Sequence, residues 1–342
     1  MNVSKEIFLR EADAAGISPE QVEALWTRLS AAEQDRPKFD APNVAYYFGG
    51  LIIIGAMTFF FGLAWERMGA GAILALALAY TAVFAGLGVY LFRIRKLYVA
   101  GGLLTAVAVC LAPLVVYAFE RALNLWPAGT VGNYLDNNSQ NQRFSLEIAT
   151  LVAGAVALRF VRFPFLVAPM AFTLWIMSTD LAQLFFHLTD ISLTQELWIS
   201  VVFGVAMMVA AFWIDRRTGE DYAFWLYFFG VVAFWFGLTL HDSGSPWLRF
   251  VYCLINIGLL AVSTFLDRRV FAVFGSLGVA LYLGYLAFSL FKDSLLLPVV
   301  LTAIGLAVIA AAIAYQKNRA RVDELVIGIL PEGLRRLSPA RR

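Results

Sequence analysis

Apolar and polar positions divide this chain into two regimes. Residues 1–43 mix charged and apolar residues with ordinary helix punctuation. The stretch Val44–Trp65, VAYYFGGLIIIGAMTFFFGLAW, then runs 22 residues without a charge. At about 1.5 Å per residue, a helix of that length crosses a hydrocarbon core of roughly 30 Å. Glu66-Arg67 stops it. The remaining pattern predicts ten spans in all: Val44–Trp65, Ala70–Phe92, Leu97–Phe119, Leu146–Phe160, Phe163–Leu184, Trp198–Ile214, Tyr222–Leu240, Trp247–Leu266, Val270–Phe291 and Leu295–Tyr315. The fourth is short and needs Arg159 to snorkel to the interface. Ala122–Arg143, which contains NYLDNNSQNQ, is the long polar loop. The expected fold class is all-α, a polytopic transmembrane helix bundle occupying residues 44–315.

The head, residues 1–43, reads as a helical hairpin. Ser4 can cap a first helix that Gly16 ends. Ser18-Pro19-Glu20-Gln21 places a capping Ser before Pro at the first helical position, with Gln at the third. Val22, Leu25, Trp26 and Leu29 then form an amphipathic stripe. A hairpin of this size has too little core to stand alone. It is expected to dock on a protein partner, a second copy or the membrane surface. With 5 basic and 8 acidic residues it does not suit nucleic acid.

Composition supports the span count. The chain is 61% hydrophobic and 15% charged, against about 25% charged in soluble domains. Cys110 and Cys253 fall inside spans and read as small buried residues, not as a disulfide. The N-terminus, MNVSKEIFLREADAAG, lacks an apolar h-region, so the first span is expected to act as its own insertion signal.

The distribution of Lys and Arg tests orientation. The head holds 5, the tail 7, and the turns after spans two, four, six and eight hold 3, 2, 2 and 2, giving 21 of the 26 on one side. Arg67, Arg121, Arg143, Arg249 and Lys292 fall on the other. That alternation predicts cytoplasmic termini. The basic tail, residues 316–342, carries Leu325, Val326, Ile327, Ile329 and Leu330 before PEGLRRLSPARR. It is expected either to lie on anionic headgroups or to be a frayed end whose charges only fix topology. Ile214-Asp215-Arg216-Arg217 and Leu266-Asp267-Arg268-Arg269 end spans six and eight, 52 residues apart. This is a weak internal repeat, open to convergence under the same charge rule.

Gly16-Ile17-Ser18-Pro19-Glu20-Gln21, followed by Tyr47-Phe48-Gly49-Gly50-Leu51-Ile52 and Ala64-Trp65-Glu66-Arg67, resembles a bacterial family of predicted multi-pass membrane proteins of unknown function. In that family a short helical head leads into a Gly-rich span closed by a Trp–acidic pair. The resemblance covers roughly residues 5–100. It implies a bacterial cytoplasmic membrane and transfers no catalytic residues.

The chain shows no GxxxxGK[ST], HExxH or CxxC signature, and two His cannot build a His-rich metal centre. No enzyme activity, cofactor or metal is expected. The candidate binding residues are Asp180, Gln183 and His187, at i, i+3 and i+7, with Asp190 beyond them, and Asn256 near mid-span. Ionisable groups at membrane depth usually face a cavity or a partner. Asp180 and His187 are placed to relay protons, or else the helix leaves the membrane there and they sit in the interface. Asn256 is expected to hydrogen-bond a neighbouring helix, with a solute as the alternative partner. His241 beside Asp242, with Glu66, Glu120, Glu147, Glu196 and Asp293, makes the non-cytoplasmic side acidic. Pro113, Pro164, Pro169 and Pro298 are expected to interrupt spans three, five and ten, as in transporters with broken helices. Ala82 with Gly86, and Ala280 with Gly284, suit close helix packing. Two functions remain open. One is a small-solute or ion transporter. The other is a membrane scaffold or envelope-homeostasis protein recruiting partners through head and tail. A cavity inside the bundle distinguishes them.

Overall fold

A computed structural model describes residues 8, 12, 17–18, 20–26, 41–125, 140–186, 192–218, 221–241, 244–291, 296, 298–307, 309–310 and 313. Among these the regular structure is helical throughout. The principal helices are α1 (Ala41–Arg67), α2 (Ala70–Arg93), α3 (Tyr98–Ala122), α4 (Gln140–Phe160), α5 (Val167–Phe186), α6 (Leu193–Asp215), α7 (Ala223–Thr239), α8 (Pro246–Leu266) and α9 (Arg269–Phe291). A 3₁₀ turn, Pro164–Leu166, leads into α5, and residues 298–307 are helical.

Among the described residues, six helices are long and apolar enough to cross a membrane: α2, α3, α5 with its leading turn, α6, α8 and α9. Val44–Met57 in α1, α7 and Pro298–Ala307 are shorter apolar helices. Large apolar side chains such as Phe48, Phe59, Trp213, Trp247 and Leu290 stand exposed on the outside. A surface of that kind is stable in an apolar solvent and not in water.

Three antiparallel hairpins, α2–α3, α6–α7 and α8–α9, form the closest helix pairs. Glycines set their spacing. A Cβ on Gly88 would come within 2.9 Å of the Thr105 backbone nitrogen, and one on Gly101 within 2.7 Å of the Gly88 carbonyl. Gly204 faces the Gly230 carbonyl at 2.6 Å in the same way, and Gly275 faces the Asn256 carbonyl at 2.7 Å. Small residues thus let backbones touch where lipid supplies no hydrophobic force between helices. The expected Gly86 and Gly284 contacts do not form: both positions face open space. Each lies on the side of its helix turned away from the hairpin partner, which apolar composition alone does not reveal.

The basic turns gather at one end. Arg93 Nε donates to the Phe160 carbonyl at 3.0 Å and lies over the Phe160 ring, joining the α2–α3 turn to the end of α4. Asp267 closes α8 in the left-handed region at φ 52°, and the Arg268 N–H reaches back to the Ser263 carbonyl. This leaves the Arg268 side chain free to span to Asp215 and Asp221.

The prolines need correction. Only Pro113 lies inside a principal helix. Pro164 opens the 3₁₀ turn, Pro169 lies in the first turn of α5, and Pro298 is the first residue of segment 298–307. In an N-terminal turn the missing N–H costs nothing, because that donor has no helical acceptor. α4 also begins at Gln140, six residues before the expected span, because the polar QNQ run joins the helix; Ser145 Oγ donates to the Gln142 carbonyl there.

In the head, residues 20–26 are helical and the Val22 N–H donates to the Ser18 carbonyl at 3.1 Å. Ala12 and Val22 are buried, and the rings of Phe8 and Trp26 lie 5.3 Å apart. Leu25, expected on the apolar stripe, is exposed instead. Leu29 and the basic tail fall outside the described residues.

Candidate functional site

Opposite the basic turns, α4 and α5 carry the charged centre of the bundle. The first three turns of α4 present Arg143, Leu146, Glu147 and Thr150 at i, i+3, i+4 and i+7, so all four share a face. Arg143 turns towards α5 and grips Asp180 with two hydrogen bonds, Nε to Oδ2 at 3.0 Å and Nη2 to Oδ1 at 2.8 Å. Asp180 is 5% exposed. A paired, fork-on-fork geometry of this kind is the form in which a buried guanidinium and carboxylate are best satisfied. Asp180 therefore lies buried between helices, in the last two turns of α5.

Glu147 lies beside both partners and is 7% exposed. Its Oε2 has no hydrogen-bond partner among the described residues. One guanidinium faces two carboxylates here. The bidentate bond directs the Arg143 guanidinium at Asp180, and Glu147 lies beside both, attracted by Arg143 and repelled by Asp180.

A cavity of about 760 Å³ extends from this charged end. Five helices line it, four of them with stripes of helical period. α1 contributes Tyr47, Gly50, Leu51 and Ile54; α3 contributes Leu103, Ala106, Val107, Cys110 and Pro113. α4 supplies the Arg143 to Thr150 face, and α5 with its leading turn supplies Phe165, Phe172 and Thr173 among others. Trp225 and Phe229 of α7 close the far end. Because Tyr47, Phe165 and Trp225 sit near the basic-turn end, the cavity runs along much of the bundle. Its wall is almost wholly apolar apart from the charged end. Pro113 has no N–H for the carbonyl of Val109, so the wall also contains a break in the α3 hydrogen-bond ladder.

Gly50 explains why the cavity is open at α1. Nothing lies within 4 Å of the position its Cβ would take. The Gly-rich start of α1 is thus used for space and not for tight helix contact.

The other sequence candidates separate from this site. Gln183 is half-buried one turn beyond Asp180 and does not line the cavity. His187 and Asp190 lie outside the described residues. Asn256, fully buried, belongs to a different network on α7 and α8. Trp235 Nε1 donates to Asn256 Oδ1 at 3.1 Å, and Asn256 Nδ2 donates to the Tyr252 carbonyl at 2.8 Å. The Tyr252 hydroxyl in turn meets Thr239 Oγ1 at 2.9 Å. Asn256 thus bonds a neighbouring helix, as one of its two expected roles required. A second cavity of about 540 Å³ lies next to this network, with His241 against Trp198 and Arg249 stacked 4.1 Å over Tyr285.

Arg143 and Glu147 are the residues that sequence reasoning missed as a site. Their i, i+4 spacing at the start of an apolar helix was the available signal, but it reads equally as a solvated helix end. Among the described residues no group of three or more His, Cys, Asp or Glu could hold a metal ion. No family model, curated protein or solved structure matches this chain.

Proposed function

We propose that the chain is a multi-pass integral membrane protein of a bacterial cytoplasmic membrane, with ten spans and cytoplasmic termini, that binds and transports a small solute. The observation that carries this reading is the cavity of about 760 Å³ with Arg143 and Glu147 in its wall. Ligand sites are typically concave, mostly apolar, about 300–1,000 Å³, and equipped with a few convergent polar groups. A scaffold has no need of such a space and gains stability by filling it. The 21-to-5 division of Lys and Arg supports the orientation. It places the charged centre towards the outside and the basic turns in the cytoplasm. Asp180 serves to hold Arg143 and lock α4 against α5, while Glu147 faces the solute.

The test is a solute panel read by thermal shift on detergent-purified protein, followed by uptake of any hit into proteoliposomes. A solute that binds only the folded state raises the melting temperature by mass action. Gly50→Leu is the matched control, since Gly50 lines the cavity and nothing lies within 4 Å of the position its Cβ would take. The expected result is a solute that stabilises and crosses with wild type and does neither with Gly50→Leu. Equal stabilisation and uptake by the two proteins would remove the cavity from the function.

A further inference from the structure

Building on that reading, we propose that the cavity between α1, α3, α4 and α5 selects a lipophilic cation, an apolar aromatic body bearing a charged, N–H-donating nitrogen that docks on Glu147.

Three observations converge on this class. Glu147 is 93% buried, lines the cavity, and offers Oε2 with no hydrogen-bond partner among the described residues. A buried acceptor in that state needs a donor, and a buried carboxylate needs a positive charge. The nearest cation, Arg143, is held by both oxygens of Asp180. Among the described residues the centre has one positive and two negative side chains, so a ligand that brings a positive charge offsets the excess of acid. An anion would add to the repulsion between Glu147 and Asp180, and a neutral apolar molecule offers Oε2 no donor.

The rest of the wall selects the body of the ligand. Tyr47, Phe165, Phe172, Trp225 and Phe229 line the cavity. Aromatic faces attract cations as well as apolar surface, most strongly where water is excluded. A small inorganic cation does not fit this wall, which supplies too few oxygens to replace its hydration shell. A delocalised organic cation loses little on dehydration and gains the aromatic contacts.

The probe is rhodamine 6G, a lipophilic cation with two secondary amine N–H groups, with fluorescein as an aromatic anion of related shape. Binding is read by fluorescence anisotropy to the full chain in nanodiscs. Gly50→Leu in identical nanodiscs measures partition into lipid. The expected result is saturable binding of rhodamine 6G to wild type, absent in Gly50→Leu, with no saturable binding of fluorescein. Glu147→Gln weakens it at least ten-fold, and Glu147→Asp retains most of it. Melting curves of Glu147→Gln and Glu147→Asp show whether either has lost its fold, and the Asp variant keeps the charge test intact if Gln does not fold.

Rhodamine 6G bound equally by wild type and Glu147→Gln, or fluorescein bound as tightly, overturns the cation assignment and leaves the cavity as a solute site. Saturable binding unchanged by Gly50→Leu overturns the cavity itself and the transport reading with it. Failure of wild type to bind rhodamine 6G also overturns the cation assignment, while the solute panel still decides the broader reading.

Discussion

Arg268 Nη2 donates to Asp215 Oδ1 at 2.6 Å, so the arginine of one Asp-Arg-Arg turn binds the aspartate of the other. Nη1 of the same side chain reaches Asp221 at 2.7 Å. The recurrence of the motif after α6 and α8 therefore has a physical use: it ties two hairpins together at their basic end. Both partners of the first pair are largely buried, at 20% and 13% side-chain exposure, so solvent screens it weakly. Arg268→Met and Asp215→Leu should each destabilise the protein, and the double variant should recover part of the loss. A double-mutant cycle in reversible mixed-micelle unfolding should give a coupling of about 1–3 kcal/mol. Additivity within experimental error would show the bond to be incidental.

The same cycle has a defined pH dependence. Burial works to lower the Arg268 pKa, but Asp221 and Asp215 together raise it further, and the net shift is upwards. A group whose folded pKa is raised adds stability that is fully present below its unfolded pKa. That stability is lost only as pH rises through the folded value. For arginine both lie far above neutrality. The Arg268 contribution should therefore be unchanged between about pH 7 and pH 9. A decline across that interval would mean that some other group controls the turn.

Glycine substitutions on one helix separate close packing from open lipid surface. On α9, Gly278 abuts the Asn256 side-chain amide, whereas Gly284 faces nothing. Gly278→Ala should cost about 1–3 kcal/mol through overpacking, and the loss should show as a lower melting temperature. Gly284→Ala should be neutral or stabilise by up to about 1 kcal/mol, the propensity gain of Ala over Gly in a helix. On α2 the pair Gly88→Ala and Gly86→Ala should divide in the same way. Equal effects within either pair would contradict the hairpin geometry.

These glycines show where sequence reasoning reaches its limit. Helix positions were legible because a span announces itself by length and apolarity: Ala70–Phe92 became Ala70–Arg93, and Trp247–Leu266 became Pro246–Leu266. The facing of each helix was not. In a soluble helix the buried side is the apolar side. Here the lipid side is equally apolar, so Gly86 and Gly88 look alike although only Gly88 meets a neighbour. Polar residues kept their signal, which is why Asp180 and Asn256 stood out. Their partners did not, since Arg143 lies 37 positions from Asp180 and Trp235 lies 21 from Asn256. Glu147 was visible only as one acid among several near a span end. Its open Oε2 is a consequence of Arg143 choosing Asp180, and that choice exists only in three dimensions.

The charged centre itself makes the last prediction, and it separates structure from ligand. Arg143 and Asp180 satisfy one another inside the bundle, at 12% and 8% side-chain exposure. Removing one partner leaves the other charge buried, which typically costs about 3–5 kcal/mol. Arg143→Met should therefore lower the melting temperature sharply, and Asp180→Asn should lower it less, because Glu147 stays beside the guanidinium. Replacing both, as Arg143→Met with Asp180→Leu, should restore most of the loss, because two well-packed apolar side chains stand in for a buried ion pair at little net cost. Glu147→Gln should behave oppositely. Oε2 accepts no hydrogen bond among the described residues, and Gln keeps an N–H for Asp180 while removing the charge that Asp180 repels. Its melting temperature should match or exceed wild type while its affinity for an organic cation falls. A large loss of stability in Glu147→Gln, comparable to that in Arg143→Met, would show that Glu147 is a structural partner in the α4–α5 contact and not the group that meets the ligand.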